Sequence, residues 1–482
     1  MPAQLSTLNN VHTLPTISAI ATPQGRGGVG VIRLSGSKSL NIALTLTNKT
    51  TFKPRVATFC RFYGADGTIL DEGLVLYFKA PHSFTGEDVI ELQGHGGVVL
   101  QNQLLSRTYE LGAKPAEAGE FSYRAFENDK LDLVQLEAIS DAIDATSIAS
   151  ATSAMRSLTG EFSKKIHAVL ERLIELRLYV EASIDFSDEE DVDFLGDGVI
   201  ADRLQTLIEN VGQTLATAQQ GQLLRDGVNV VLAGKPTAGK SSLLNRLAGV
   251  ERAIVTEVAG TTRDTLQETL VLDGLTVYLT DTAGLRQTDD VVERIGIERT
   301  RQAIAQADVL MVLYDLSETD DVEALLDEVL SDDWMSLIAQ NKLMLIGNKK
   351  DLITKQIDGK LPDTETIKIA NLGDYSSKNT VLQVNVSCET GEGIESLISE
   401  LRAKVGFHPP ENSLIARTRH IDALRRTLTH LQDASVQLLE FQAGELVAES
   451  LRLAQQDLGE ITGEFTSDAL LGRIFSSFCI GK

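Results

Sequence analysis

The segment GKPTAGKS (234–241) limits what this chain of 482 residues can fold into more than any other stretch. It directly follows the apolar run NVVLA and opens SSLLNRLAG, which has helical periodicity. A glycine-rich turn between a strand and a helix lets backbone N–H groups wrap phosphate oxygens, and the helix N-terminus adds partial positive charge. In that arrangement Lys240 reaches the β- and γ-phosphates and Ser241 reaches Mg²⁺. The glycines Gly234 and Gly239, with Thr237, Ala238 and Ser242, form the rest of the cradle. Such a loop commits its neighbourhood to a mostly parallel α/β sheet, and residues 225–405 read that way. NVVLAG, DVLMVLYD, KLMLIGNK and LQVNVS each end where a loop begins. LVLDGLTVYLTD reads as a hairpin turning at Asp273-Gly274.

Two further segments follow the loop in the order that a guanine-nucleotide hydrolase requires. DTAG (281–284) ends the run TVYLT, where Asp281 can hold Mg²⁺ through water and Gly284 can sense the γ-phosphate, with Thr282 and Ala283 between them. NKKD (348–351) ends KLMLIG. A carboxylate at Asp351 accepts from the N1–H and exocyclic amine of guanine, a donor pair that adenine lacks, and Asn348 and Lys349 shape that loop. Ser387, in SCET, fits a loop that packs on the base or, equally, a plain turn. Between these motifs lies TEVAGTTRD. Its Thr262 is the expected switch ligand of Mg²⁺, and Thr256, Glu257, Val258, Ala259, Gly260 and Thr261 line the same loop. Leu285 follows DTAG where many such enzymes carry a water-orienting Gln, so either another group orients the water or hydrolysis is very slow. The carboxylate available is Glu293, in VVERIGIER; by local context alone it would be a solvated residue at a helix start.

The rest of the chain separates by pattern. Residues 1–129 mix short alternating runs (GVGVIRL, GLVLYF) with the turn signals ATPQGRGG, YGADG and QGHGG, giving a small α+β unit. Residues 130–224 are helical, with one stripe of Phe162, Ile166, Val169, Leu173, Leu176 and Val180 and another of Ile200, Leu204, Leu207, Val211 and Leu215. Residues 406–482 are helical again, with a face of Ile421, Leu424, Leu428 and Leu431. Two helical stretches flanking an α/β unit imply one discontinuous helical domain with the nucleotide module inserted. G-x-G-x-x-G at Gly25–Gly30 matches a dinucleotide fingerprint but leads into a strand rather than a helix, which rules that reading out. The ending Cys479-Ile-Gly-Lys482 does not make a prenylation signal. Cys60, Cys388 and Cys479 form neither a disulfide framework nor a zinc pattern. No run is long and apolar enough for a bilayer span and no leader pattern opens the chain, so the expected setting is the cytoplasm. The net charge of −24 excludes a high-affinity coat for nucleic acid. That acidity is concentrated in 131–400; residues 1–130 are near neutral and 401–430 are basic, which leaves room for weak contact with nucleic acid.

These motifs, together with GEFSYRAFENDKLDL (119–133) and the terminal EFTSDALLGRIFSSFCIGK, resemble the MnmE (TrmE) tRNA-modification GTPases over essentially the whole chain. The resemblance implies a folate-binding, dimerising α+β domain at the N-terminus, a discontinuous helical domain and an inserted Ras-like P-loop GTPase domain. It further implies a homodimer working with an FAD-dependent MnmG-like partner, in a heterotetramer or larger complex. The product would be a carboxymethylaminomethyl or aminomethyl group at C5 of the tRNA wobble uridine, with a tetrahydrofolate derivative as one-carbon donor. By motif position Arg33, Glu91, Lys130 and Lys482 correspond to folate contacts, Cys479 to the tail cysteine and Glu293 to the water-orienting glutamate. The family's P-loop reads G-x-P-N-x-G-K-S, its Asn helping to hold a K⁺. Thr237 stands there in this chain, leaving Thr256, the Val258 carbonyl and Thr261 as K⁺ ligands, so weakened K⁺ binding is expected. From the residues alone, a non-catalytic GTP-dependent dimerising switch or scaffold is the alternative.

Overall fold

A computed structural model describes residues 14–23, 25–185, 198–249, 267–281, 302–319, 321–330, 334–353, 361–368, 380–409, 413–464, 468–476, 478 and 481. The chain divides into two compact units, one of residues 1–140 with 456–482 and one of residues 141–455.

The first unit is built on a six-stranded sheet in the order β3-β4-β5-β2-β1-β6. Its strands are β1 (Ile17–Ile20), β2 (Gly27–Ser35), β3 (Thr58–Tyr63), β4 (Ile69–Phe78), β5 (Val89–Gly96) and the short β6 (Lys114–Pro115). All pairings are antiparallel except β1 with β6. Period-two alternation sends Ile32, Leu34, Val75, Tyr77, Ile90 and Leu92 to one face, where α1 (Ser39–Thr47) and α2 (Val98–Glu110) contribute Ile42, Leu46 and Leu104. The strand read from GVGVIRL is thus present as β2, and no helix follows Gly30, as the rejected dinucleotide fingerprint would have needed. QGHGG behaves differently from a turn signal. β5 continues to Gly96, and the chain turns only at Gly97, the residue before α2.

Beside the sheet, α3 (Glu120–Glu127) and the first turns of α4 (Leu133–Ile143) meet the helix Asp468–Ser476. Ala125, Leu133, Leu136, Leu471, Ile474, Phe475 and Phe478 share one core, and Tyr123 meets the Phe475 ring edge-on at 5.4 Å. Gly119 is required at this contact. Its φ is 68°, and a Cβ there would come within 2.5 Å of the Phe475 carbonyl oxygen.

In the second unit α5 (Ile148–Leu158), α6 (Glu161–Asp185), α7 (Val199–Asp226) and the helix Thr418–Leu439 form the helical layer. Phe162, Ile166, Val169, Leu173, Leu176 and Val180 are all buried, as are Ile200, Leu204, Leu207 and Val211. Each such side chain contributes roughly 1.5–3 kcal/mol through removal from water, far more than helix propensity supplies. Leu215 and Leu428 are only half-buried, and Ala218 and Thr427 take the inward positions. Small residues win there because α7 approaches backbone: a Cβ on Gly221 would lie 1.8 Å from the Leu414 carbonyl oxygen. Asp141 fastens the same region, accepting from Arg225 Nε at 2.8 Å and Arg417 Nη2 at 2.7 Å.

From α7 the chain enters the nucleotide module through one residue, Gly227 (φ 66°, ψ −164°). A Cβ at Gly227 would come within 2.7 Å of the Thr276 carbonyl oxygen. The module is a seven-stranded sheet in the order β12-β13-β11-β10-β7-β9-β8. Its strands are β7 (Val228–Gly234), β8 (Gln267–Leu272), β9 (Leu275–Asp281), β10 (Val309–Asp315), β11 (Leu343–Asn348), β12 (Thr364–Lys368) and β13 (Thr380–Asn385). The five inner strands run parallel, and only the edge strands β8 and β12 are antiparallel to their neighbours. Helices cover both faces, which explains why the inner strands are apolar without alternation. Val230 and Leu232 face α8 (Lys240–Ala248) and the helix Ile394–Lys404. Val231 and Ala233 face the helices Val322–Leu330 and Trp334–Ala339. Asp273 and Gly274 turn the β8–β9 hairpin with φ of 47° and 85°, the double positive that a tight two-residue hairpin needs. Among the described residues no helix is long and apolar enough to cross a membrane.

Candidate functional site

The C-terminal ends of the parallel strands collect the motif residues on one edge of the sheet. β7 ends at Gly234, β9 at Asp281, β11 at Asn348, and β13 leads into Ser387. An open parallel sheet presents its ligand crevice at that edge. After β7 the chain makes one 3-10 turn, Pro236–Ala238, before Gly239 (φ 99°) starts α8 at Lys240. Both loop glycines are needed sterically. A Cβ on Gly234 would lie 2.2 Å from the Leu313 carbonyl oxygen, and one on Gly239 would lie 2.4 Å from Asn348 Nδ2. Lys240 is buried, its ammonium donating to the carbonyls of Gly234 at 2.8 Å and Lys235 at 2.9 Å. Ser241 and Ser242 begin α8 with exposed side chains, and Thr237 is exposed within the 3-10 turn. A loop closed to side chains, headed by a helix N-terminus and carrying one buried lysine, fits a triphosphate.

The loops holding Asn348, Asp351 and Ser387 are tied to this cradle. Asn348 Nδ2 donates to the Ala238 carbonyl at 2.8 Å, while its Oδ1 accepts from the Cys388 N–H at 3.2 Å. Ser387 Oγ donates to Asp351 Oδ1 at 2.7 Å and accepts from the Thr390 N–H at 3.2 Å. The Ser387 hydroxyl thus orients the Asp351 carboxylate as well as closing its own turn. Lys349 sits at φ 62° and pairs with Asp315. Burial would raise the Asp315 carboxyl, but hydrogen bonds from Lys349 and Ser317 outweigh it and hold the group below its ordinary value. Lys350, fully buried, pairs with Asp363 and with Glu392 at 3.0 Å. Burial acts to lower its pKa, yet the two carboxylates leave it raised, so the ammonium stays charged. Arg246 of α8 donates to the Cys388 carbonyl through Nε at 3.0 Å and Nη2 at 2.9 Å, and to the Glu389 carbonyl. The Cys388 thiol is pushed up to about 11, mainly by burial, and so stays protonated.

The N-terminal unit holds a second constellation. Arg33 donates to Glu91 Oε1 through Nε at 3.3 Å and Nη2 at 3.1 Å, and through Nη1 to the Gly481 carbonyl at 3.3 Å. Its guanidinium lies 5.8 Å from the ring centroids of both Phe84 and Phe121. Lys130 donates to the Pro81 carbonyl at 2.9 Å. Arg33, Glu91 and Lys130 thus gather around the 81–86 segment, with the Gly481 carbonyl at Arg33. Sequence reading missed Arg124, which is fully buried and paired with Glu87 at 3.0 Å and Glu120 at 2.7 Å. It also missed His95, whose Nδ1 lies 2.6 Å from Asp71 Oδ1, with the His95 and Glu72 N–H groups on the same carboxylate. Thr256, Glu257, Val258, Ala259, Gly260, Thr261, Thr262, Thr282, Ala283, Gly284, Glu293, Cys479 and Lys482 lie outside the described residues.

Comparison with known proteins decides the family. The profile of the MnmE helical domain matches residues 133–479, and that of the GTP-binding protein TrmE N-terminus matches residues 16–130. The tRNA modification GTPase MnmE of Psychrobacter arcticus is 67% identical over 98% of this chain and 98% of its own length. The chain belongs to the MnmE family of tRNA modification GTPases. MnmE proteins of Acinetobacter baumannii (57% identical, over 98% of this chain and 100% of theirs) and Legionella pneumophila (47%, over 98% and 100%) extend the match. Membership in the MnmE family makes the chain a GTP-binding, GTP-hydrolysing enzyme.

Proposed function

We propose that this MnmE-family chain couples GTP hydrolysis to modification of the tRNA wobble uridine in the cytoplasm. It would act as a homodimer with an FAD-dependent MnmG-like partner and add an aminomethyl or carboxymethylaminomethyl group at C5. Full-length similarity to tRNA modification GTPases supports the reading. The observation that carries it furthest is the Arg33–Glu91 pair meeting the Gly481 carbonyl. It brings the chain's end, two residues beyond Cys479, to the side chains that correspond to folate contacts in the family.

When bound, GTP supplies the anhydride that is cleaved, and a tetrahydrofolate derivative supplies the one-carbon unit. The chain's own groups have separable tasks. The loop N–H groups and Lys240 bind and neutralise phosphate, while Asp351, oriented by Ser387, accepts from the guanine edge. Ser241 and Thr262 would hold Mg²⁺, with Asp281 reaching it through water. Glu293 would orient the attacking water in place of the Gln that Leu285 displaces. Arg33, Glu91, Lys130 and Lys482 would hold the folate. Direct contact with tRNA would be weak, the partner supplying most of the attraction for RNA.

The test is reconstitution with tRNA, GTP, a folate donor and the FAD partner, omitting one at a time and measuring modified uridine. Loss of product on each omission is expected. Product formed without folate or without this chain would overturn the proposal. Normal GTP turnover with no folate binding would favour the switch or scaffold alternative.

A further inference from the structure

We propose that Arg246 is a positioning residue for guanine recognition, locking the base-reading loop to the helix that carries the phosphates. Arg246 lies on α8, in the turn after the Lys240–Ser241 phosphate end. Its guanidinium spends three hydrogen bonds on two consecutive carbonyls of the loop, those of Cys388 and Glu389. On its other side the loop closes through Gly391 (φ 89°), where a Cβ would come to 3.5 Å of Arg246 Nη1, an ordinary contact distance. The two carbonyls lie immediately after Ser387, whose hydroxyl orients Asp351.

The two ends of the loop have anchors that do not involve Arg246. The loop's start is held by the Val386 N–H on the Gly347 carbonyl at 2.7 Å, and its end by the Ser387 N–H on the Glu392 carbonyl at 2.9 Å. The middle, Cys388-Glu389, is fixed from below by Asn348 and, among the described residues, from the side by the Arg246 side chain alone. A planar fork suits this task because Nε and Nη2 can address one oxygen together while Nη2 also reaches the next, which an ammonium cannot reproduce. The inference deepens the reading of residues 387–391 as the guanine loop and rests on it.

The test compares GTP and ITP. Inosine lacks the exocyclic amine, so ITP loses one of the two donors that Asp351 reads. If Arg246 positions the loop, Arg246→Ala weakens GTP more than ITP and the GTP/ITP affinity ratio shrinks. The expected loss is about tenfold in GTP affinity, seen in Kd and KM more than in kcat. Arg246→Lys, which keeps the charge on a single donating nitrogen but loses the fork, should fall between the parent and Arg246→Ala. A melting curve on each full-length variant checks that the fold is kept. A ratio unchanged within about twofold would overturn the proposal, whether both affinities fell together through α8 or neither moved. Asp351→Asn measured alongside separates the two levels. If it leaves base selectivity intact, the guanine-loop reading itself fails; if it abolishes selectivity while Arg246→Ala does not touch it, only the role of Arg246 fails.

Discussion

At the scale of single residues, the site depends on groups held by neighbours rather than on composition. Asp351, proposed to read guanine, has its Oδ1 held by the Ser387 hydroxyl. Asp351→Asn keeps one acceptor for the N1–H but puts an amide donor against the exocyclic amine of guanine, so GTP affinity should fall by about 10- to 100-fold. XTP, which offers a carbonyl where guanine has its amine, should then bind better than GTP; a competition assay in which GTP still wins would contradict the assignment. His95 offers a pH test. Its pKa is raised by the hydrogen bond to Asp71 and by that carboxylate's charge. Burial pushes Asp71 up, but the bonds from His95 and Glu72 bring it below its ordinary value. A raised imidazole value means that the folded state holds the proton more tightly. The stabilisation is therefore complete below the ordinary value of about 6.5 and is lost as pH rises through the folded value. His95→Gln should melt lower than the parent in mildly acidic buffer and converge with it in alkaline buffer. Parallel melting curves across that range would remove the pair from the account.

At the scale of elements, close approaches decide which residues are tolerated. Alanine in place of a helical glycine ordinarily gains up to about 1 kcal/mol. At Gly221 the added Cβ would meet the Leu414 carbonyl oxygen at 1.8 Å, so α7 or the 413–416 segment must shift. Gly221→Ala should destabilise by roughly 2 kcal/mol or more, lowering the melting temperature; an unchanged midpoint would mean that the segment moves aside freely. In the P-loop, Thr237 is exposed on the 3-10 turn, at the position where the resemblance leads us to expect a K⁺-holding Asn. A hydroxyl is shorter and a weaker dipole, so GTP turnover should gain less from K⁺ over Na⁺ than in Thr237→Asn. Equal and strong K⁺ activation in both proteins would refute this. Elements were also what the sequence disclosed best. The P-loop, the Asp273-Gly274 hairpin and the helix stripes are local patterns, each needing only a few consecutive residues to be read. Arg246, Lys350 and the Asp71–His95 pair were not legible. Arg246 meets Cys388 across 142 positions, and no periodicity marks a partner that far away. QGHGG looked like a turn because glycine permits one, yet pairing with β2 and β4 keeps most of it in the sheet.

At the scale of the molecule, the two chemistries assigned to the chain should separate by mutation. Glu293→Ala is expected to stop GTP hydrolysis while nucleotide affinity stays near normal, and Cys479→Ser to stop uridine modification while GTP turnover continues. Turnover assays beside nucleoside analysis of the tRNA would check both, and a Cys479→Ser protein that still modifies tRNA would reduce the thiol to a structural part. The way the nucleotide module is attached bears on how its state is felt elsewhere. Only Gly227 separates the last residue of α7 from the first residue of β7. There is no slack at this entrance: a strand leaves a 28-residue helix as a blade leaves its handle. Any turning of the sheet about that point must be absorbed by two backbone torsions or passed directly into α7, where Arg225, two residues earlier, is already pinned by Asp141. A change at the phosphates therefore has a stiff lever waiting for it, and Gly227 is where that lever is hinged.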